Sequence, residues 1–303
     1  MNRKSKEELM TLPQVIGVGQ GFKETGGVTT TKKAILVLVK RKIPLEQLQK
    51  DQIVPHKLNG KITDVIEVGD MQAYSAGNPA IALESYTERM KPSAPGVSIG
   101  HYLITAGTFG AVVYDRKNGQ PLILSNNHVL ANSSNGRDRR AKIGDLILQP
   151  GASDGGRISN DAIARLIKYV ALNEYPRRNN VDCALAQPLN NGIIVPEIIG
   201  IGRVQGTIVG RVGMNIKKSG RTTGLTTGKI RAVKVALNVG YGSGRTLRFD
   251  NQILATDMSA GGDSGSLVLD ENNRAVGLLF AGSDQATLLN PIQKVLSLLN
   301  VVF

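Results

Sequence analysis

Cysteine occurs once in this sequence, at position 183, so no internal disulfide can form and a disulfide-stapled scaffold is excluded. The same scarcity points to a reducing compartment, and a cytoplasmic location is the expectation. Tryptophan is absent and aromatic residues make up only 4% of the chain, too few for the platforms on which single-stranded nucleic acids stack. No run approaches the roughly 18 uninterrupted apolar residues of a membrane-spanning helix, so no membrane partner is expected. The polar start Met-Asn-Arg-Lys-Ser-Lys-Glu-Glu has no apolar stretch behind it, which argues against a secretory leader. Histidine is nearly as scarce. His56 and His101 stand alone, no metal-ligand spacing appears, and neither a metal nor a cofactor is expected.

What is present is a globular composition. With 303 residues, 41% apolar and 20% charged, the chain can bury a full core and is long enough for two domains. Its net charge is +13. Residues 1–91 carry 14 basic and 10 acidic side chains and residues 92–303 carry 23 and 14, so the excess lies mainly in the second part. Basic clusters at Arg137, Arg139, Arg140 and Lys142, and at Lys217, Lys218 and Arg221, have two readings. One is an ordinary soluble surface, the other attraction to an acidic substrate or a polyanion.

Residues 1–90 read as a small α+β domain. A short helix over 5–12 ends at Pro13, a glycine-rich strand covers 15–23, and Gly26-Gly27 makes a turn. A strong strand follows over 33–42, then a short helix opened by Pro44 through about Lys50, then a strand over 62–68. Residues 76–96, rich in Pro and Gly, read as a linker. From about residue 97 the texture changes. Short β-branched runs recur between Gly and Asn-Gly turns, as at 110–115, 122–125, 229–239 and 276–280, which favours an antiparallel barrel or sandwich over a βαβ array. Residues 291–299 have helical spacing. The stretch 132–180 reads as an unusually long connection: a lid, a contact with a second copy of the chain, or a plain excursion.

The most informative string is Gly262-Asp263-Ser264-Gly265-Ser266. A nucleophilic serine needs small neighbours and backbone N–H groups aimed at the developing oxyanion. Alone, the string also reads as a hairpin tip. It is not the Gly-x-Ser-x-Gly elbow of α/β-hydrolases, and no histidine follows Ser264 as that order requires. Upstream, His128 closes an apolar strand in Asn126-Asn127-His128-Val129, and Asp182 opens another in Val181-Asp182-Cys183-Ala184. A carboxylate buried there costs several kcal/mol unless paired, so an imidazole partner is expected. Cys183 itself reads as a small buried residue.

The order His…Asp…Ser and these three strings resemble the trypsin/chymotrypsin clan of serine peptidases. A fourth string, Lys218-Ser219-Gly220-Arg221-Thr222-Thr223-Gly224, resembles the α-lytic-protease branch. Residues 224–228, Gly-Leu-Thr-Thr-Gly, are similar to the plant narrow-leaf trypsin-like proteins and their bacterial relatives. The resemblance covers about residues 105–303, and it implies a mainly β fold in which two antiparallel six-stranded barrels (91–303) follow the small α+β unit (1–90). It implies His128 as general base, Asp182 as its orienting acid, Ser264 as nucleophile, and the Gly262 and Ser264 amides as oxyanion hole. It implies further that Lys218 pairs with Asp263, replacing the N-terminus that zymogen cleavage supplies elsewhere, and that Phe280, Ala281 and Gly282 bind substrate backbone.

The sequence departs from the family where its usual Ser-Gly or Trp-Gly pair reads Phe280-Ala281-Gly282, and the missing serine removes a hydrogen bond to the triad acid. Met258 and Asp257, near the base of the specificity pocket with Ser259 and Ala260, favour apolar and basic side chains respectively. The expected function is peptide-bond hydrolysis on a protein or peptide substrate. The alternatives are a weak or inactive trypsin-like scaffold and a polyanion-binding module, with nucleic acid the less favoured partner.

Overall fold

The run at 34–39, Ala-Ile-Leu-Val-Leu-Val, lacks polar alternation because both faces of its strand are covered. In the computed structural model, which describes residues 3–73, 84–174, 176–190 and 192–303, it ends β2 (Val28–Val39). β2 lies antiparallel to β1 (Val15–Thr25) and parallel to β4 (Lys61–Glu67), with β3 (Lys57–Leu58) at the edge. Helix α1 (Arg3–Met10) lays Leu9 on one face, against Val18, Ile35 and Val37. On the other face Leu36 and Leu38 pack with Leu237, Phe249 and Leu254 of the C-terminal half. The helix expected after Pro44 is instead two separate 3-10 turns, Leu45–Gln47 and Lys50–Gln52. Neither buries a residue, so no packed face holds a longer helix together. Of the expected linker, residues 76–83 lie outside the described residues, and its later part contains the single turn α2 (Glu84–Thr87).

The first barrel is built from β6 (Ser98–His101), β7 (Gly107–Thr108), β8 (Ala111–Asp115), β9 (Pro121–Ser125), β10 (Leu146–Leu148), β11 (Ala162–Tyr169) and β12 (Ala184–Pro188). Their order is β8-β9-β12-β11-β10-β6-β7. β7 runs almost directly into β8, so the two act as halves of one bent strand that closes the ring. α3 (Asn127–Leu130) follows β9, and α4 (Ile158–Asp161) leads into β11. The stretch 132–180 is therefore not one long loop: β10 and β11 lie within it. Ile147, Ile163, Ala164 and Leu166 are fully buried, and burial in the barrel overrides the Gly- and Arg-rich sequence around them.

The second barrel contains β13 (Asn215–Gly220), β14 (Gly224–Gly240), β15 (Thr246–Thr256), β16 (Leu267–Leu269), β17 (Ala275–Gly282) and β18 (Ala286–Pro291). Six strands close in the order β13-β16-β17-β18-β15-β14, with β14 pairing back to β13. The fold is thus mainly β with two barrels, as expected. α5 (Ile292–Leu299) buries Ile292, Val295, Leu296 and Leu299, and β19 (Val301–Val302) returns to β8.

β14 and β15 project beyond the barrel as a hairpin, and β1 pairs with it through Gly17 opposite Leu237 and Val18 opposite Ala236. One sheet therefore runs from the N-terminal strands into the second barrel. β5 (Gln72–Ala73) sits against the far end of β17, with Ala73 opposite Ala281 and Gln72 opposite Gly282 in antiparallel register.

Candidate active site

Strand β9 is buried along Leu122–Ser125 and turns directly into α3, which sets His128 at the barrel's end. Its Nδ1 lies 2.6 Å from Asp182 Oδ2, and its backbone N–H donates to Asp182 Oδ1 at 3.2 Å. The Asp182 side chain is fully buried. Its backbone is fixed from two barrels: the Asp182 N–H donates to Asn290 Oδ1, and Asn126 Nδ2 and Asn290 Nδ2 both donate to the Asp182 carbonyl. A third donor reaches the carboxylate, the Tyr241 hydroxyl at 2.7 Å from Oδ2. A buried carboxylate with three donors avoids most of the cost of leaving water.

Ser264 lies in the loop before β16. Gly262 has φ +102° and Gly265 φ +96°, a region that only glycine enters freely. A Cβ on Gly262 would stand 2.4 Å from Thr222 Oγ1, and one on Gly265 would stand 2.1 Å from Ser125 Oγ. Both glycines of the motif are thus required by conformation and by close approach, Gly262 by Thr222 and Arg221 of the turn between β13 and β14 and Gly265 by the first barrel. The Thr108 amide donates to the Ser264 carbonyl at 2.7 Å, and Thr108 Oγ1 donates to the Gly262 carbonyl at 2.9 Å, binding the loop to β7. The structure joins His128 to Asp182 directly. It does not join Ser264 to His128: the Ser264 hydroxyl donates to the Phe280 carbonyl at 3.3 Å, and the buried His128 Nε2 has no hydrogen-bond partner among the described residues.

Asp263 is buried beside the nucleophile loop. Its Oδ2 lies 3.2 Å from Lys218 Nζ, with both side chains fully buried. The remaining lone pairs accept from the amides of Thr222, Thr223 and Ala260 and from the Thr223 hydroxyl. Lys218 Nζ also bonds Thr223 Oγ1 and the Gly224 carbonyl. Burial, opposed by the Asp263 charge, lowers the Lys218 pKa. Arg221, also fully buried, makes a two-pronged pair with Asp154, which in turn accepts from Ser98 Oγ. Two members of the basic cluster at 217–221 are therefore internal.

Among solved structures, the chain superposes on Thermobifida fusca Protease A with a TM-score of 0.50 and 18% identity, over 69% of this chain and 98% of that one. A glutamic acid specific serine protease gives 0.50 and 20%, over 69% and 99%. The fold is chymotrypsin-like. No family model and no curated protein matches the sequence.

Within the chymotrypsin-like frame, Phe280, Ala281 and Gly282 end β17 and are fully buried or nearly so. Phe280 packs on Phe249 (4.8 Å between ring centroids), which stacks on Tyr241 at 5.9 Å. The Met258 amide and the Ser259 hydroxyl both meet Thr287 Oγ1, and Met258 is buried while Asp257 is exposed. Cys183 is buried, which pushes its thiol well above the ordinary range. His101 pairs with Asp145 at 3.0 Å, remote in sequence from the triad strings. Among the described residues no group of His, Cys, Asp or Glu is placed to hold a metal, and no helix is long and apolar enough to cross a membrane. Sequence reasoning missed Tyr241, Asn126, Asn290 and Thr108. Only Asn126, inside the Asn-Asn-His string, carried a local signal.

Proposed function

We propose that this chain is a serine endopeptidase that hydrolyses peptide bonds through an acyl-enzyme, without a cofactor. The observation that carries the reading is the His128–Asp182 pair: a buried carboxylate holds Nδ1, while the buried Nε2 has no hydrogen-bond partner among the described residues. In the reaction the Ser264 hydroxyl rotates from the Phe280 carbonyl to Nε2, a change between staggered side-chain wells. Oγ attacks the scissile carbonyl carbon as His128 takes its proton. The oxyanion forms against the Gly262 and Ser264 amides, each worth about 3 kcal/mol of transition-state stabilisation. The C–N bond then breaks, His128 protonates the leaving amine, and water releases the acyl group by the same path.

A fluorophosphonate probe tests the reading. Wild type should label, and Ser264→Ala and His128→Ala should not. A second reading, a scaffold without turnover, is favoured by one observation: Gln72 and Ala73 already pair with the strand proposed to receive substrate. The full chain is accordingly expected to label slowly. Folded protein that stays unlabelled even when the β5 pairing is disrupted would overturn the peptidase reading in favour of the scaffold.

A further inference from the structure

We propose that Tyr241 is a positioning residue of the triad: its phenol O–H, 2.7 Å from Asp182 Oδ2, holds the carboxylate against His128 in place of the missing serine hydroxyl. The inference rests on the peptidase reading of the site. Among the described residues the donors to the Asp182 carboxylate are the His128 amide, His128 Nδ1 and the Tyr241 hydroxyl. The first two belong to one residue on α3, so they move together. Tyr241 is the one that comes from the other barrel, and it completes a grip from two sides.

The tyrosine is held firmly enough to do this. It opens the turn between β14 and β15, where its amide donates to the Arg245 carbonyl at 2.8 Å. Its ring lies nearly parallel to Phe249, 12° between planes, and Phe249 rests on Phe280. It meets the His128 ring edge-on at 6.0 Å and 87°. The phenylalanine at 280 therefore has a role of its own: it supports the aromatic stack that brings a hydroxyl to the triad from elsewhere. The N-terminal strands contribute as well, because β1 pairs with β14 at positions 236 and 237. Residues 1–90 in this way brace the hairpin on which Tyr241 sits.

Among the described residues the charged and titratable groups around the contact are few. Besides His128, Asp182 has Cys183 as its neighbour in sequence, and Lys168 acts on that thiol from β11. Tyr241 feels Arg245, whose guanidinium is bound to Glu174 and the Ser133 carbonyl. Burial, followed by the Asp182 charge, pushes the phenol well above its usual range, so it remains a donor throughout the working pH range.

The test uses the full chain. In Tyr241→Phe the ring and its stack stay, and one donor to a buried carboxylate is lost. kcat should fall about tenfold with KM nearly unchanged. More of the carboxylate's charge then faces the imidazole, so the acidic limb of the pH–rate profile should move upward. The downfield Nδ1–H proton resonance of His128 should shift, and it is readable without any substrate. Replacing Tyr241 by a fluorinated tyrosine, a stronger donor of nearly the same shape, should move limb and resonance the opposite way, and it decides the matter if the phenylalanine variant does not fold. An active wild type whose kcat, limb and resonance are unmoved by either change would overturn the proposal. A chain that never labels even with the β5 pairing disrupted, and whose resonance still responds to position 241, would uphold the Tyr241 contact and sink the peptidase reading instead.

Discussion

At the residue scale, the catalytic loop leaves little freedom to substitute. Gly262→Ala forces a Cβ into Thr222 Oγ1 at a φ that alanine avoids, so the peptide must turn and withdraw its amide from the cleft. Labelling should slow by about a hundredfold or more, the usual effect of losing one oxyanion donor. Lys218→Met leaves Asp263 buried without its counter-charge and should cost about 3–5 kcal/mol of stability, read by denaturant titration. pH offers a finer probe of the same pair. Burial holds Lys218 below the ordinary lysine range, so between its folded and unfolded values the unfolded chain binds more protons. Over that window this group's contribution to stability rises with pH, while the charge opposite Asp263 disappears. Labelling should therefore fall on the alkaline side without a fall in Tm from this group, and Lys218→Arg should keep labelling to higher pH. Unchanged labelling in Lys218→Met would refute the assigned role. The strings around His128, Asp182, Ser264 and Lys218 were legible because each needs particular residues beside it. Tyr241 was not, since the contact that defines it spans 59 positions to Asp182 and rests on an aromatic stack with no sequence signature.

At the scale of elements, apolar runs between turn residues located β1, β2 and β4, and helical spacing located α5, whose buried positions are all apolar. These signals missed β10, of three residues, and β11, of eight, which become strands because the barrel covers Ile147, Ile163 and Leu166. They missed β5 for a stronger reason: two residues carry no period, and only the pairing partner makes them a strand. That pairing matters for function. Gln72 and Ala73 lie antiparallel to Gly282 and Ala281, the direction in which a peptide substrate would add to the same edge. The Gly240 amide also donates to the Met71 carbonyl at 2.9 Å, holding the segment from the other side. Replacing both Gln72 and Ala73 by proline removes their N–H donors, each bond being worth about 1 kcal/mol. The variant should label about tenfold or more faster than wild type at the same concentration. Equal rates would mean that β5 does not obstruct the probe's path to Ser264.

At the scale of the whole molecule, β1, β2 and β4 complete a sheet that the second barrel begins, and the boundary is buried rather than wet. Leu36, Leu38 and Ile66 share a core with Leu237, Phe249 and Phe280, the last of which touches the support for Tyr241. Charge follows the same seam: Glu24 pairs with Arg231, Lys6 with Asp250, and Glu7 with Arg178. Each of these partly exposed pairs adds only about 0–1 kcal/mol, so apolar burial has to carry the union. The N-terminal strands should accordingly have no separate melting event, and scanning calorimetry of the full chain should show one transition. Val18→Asp, which places an unpaired carboxylate at a fully buried position opposite Ala236, makes the test sharper. If the sheet is one cooperative unit, that single change should lower the one Tm and slow fluorophosphonate labelling together, because the hairpin carrying Tyr241 loses its brace. A split into two transitions, with the later one retaining full labelling, would mean that the barrels hold the triad without help from residues 1–90.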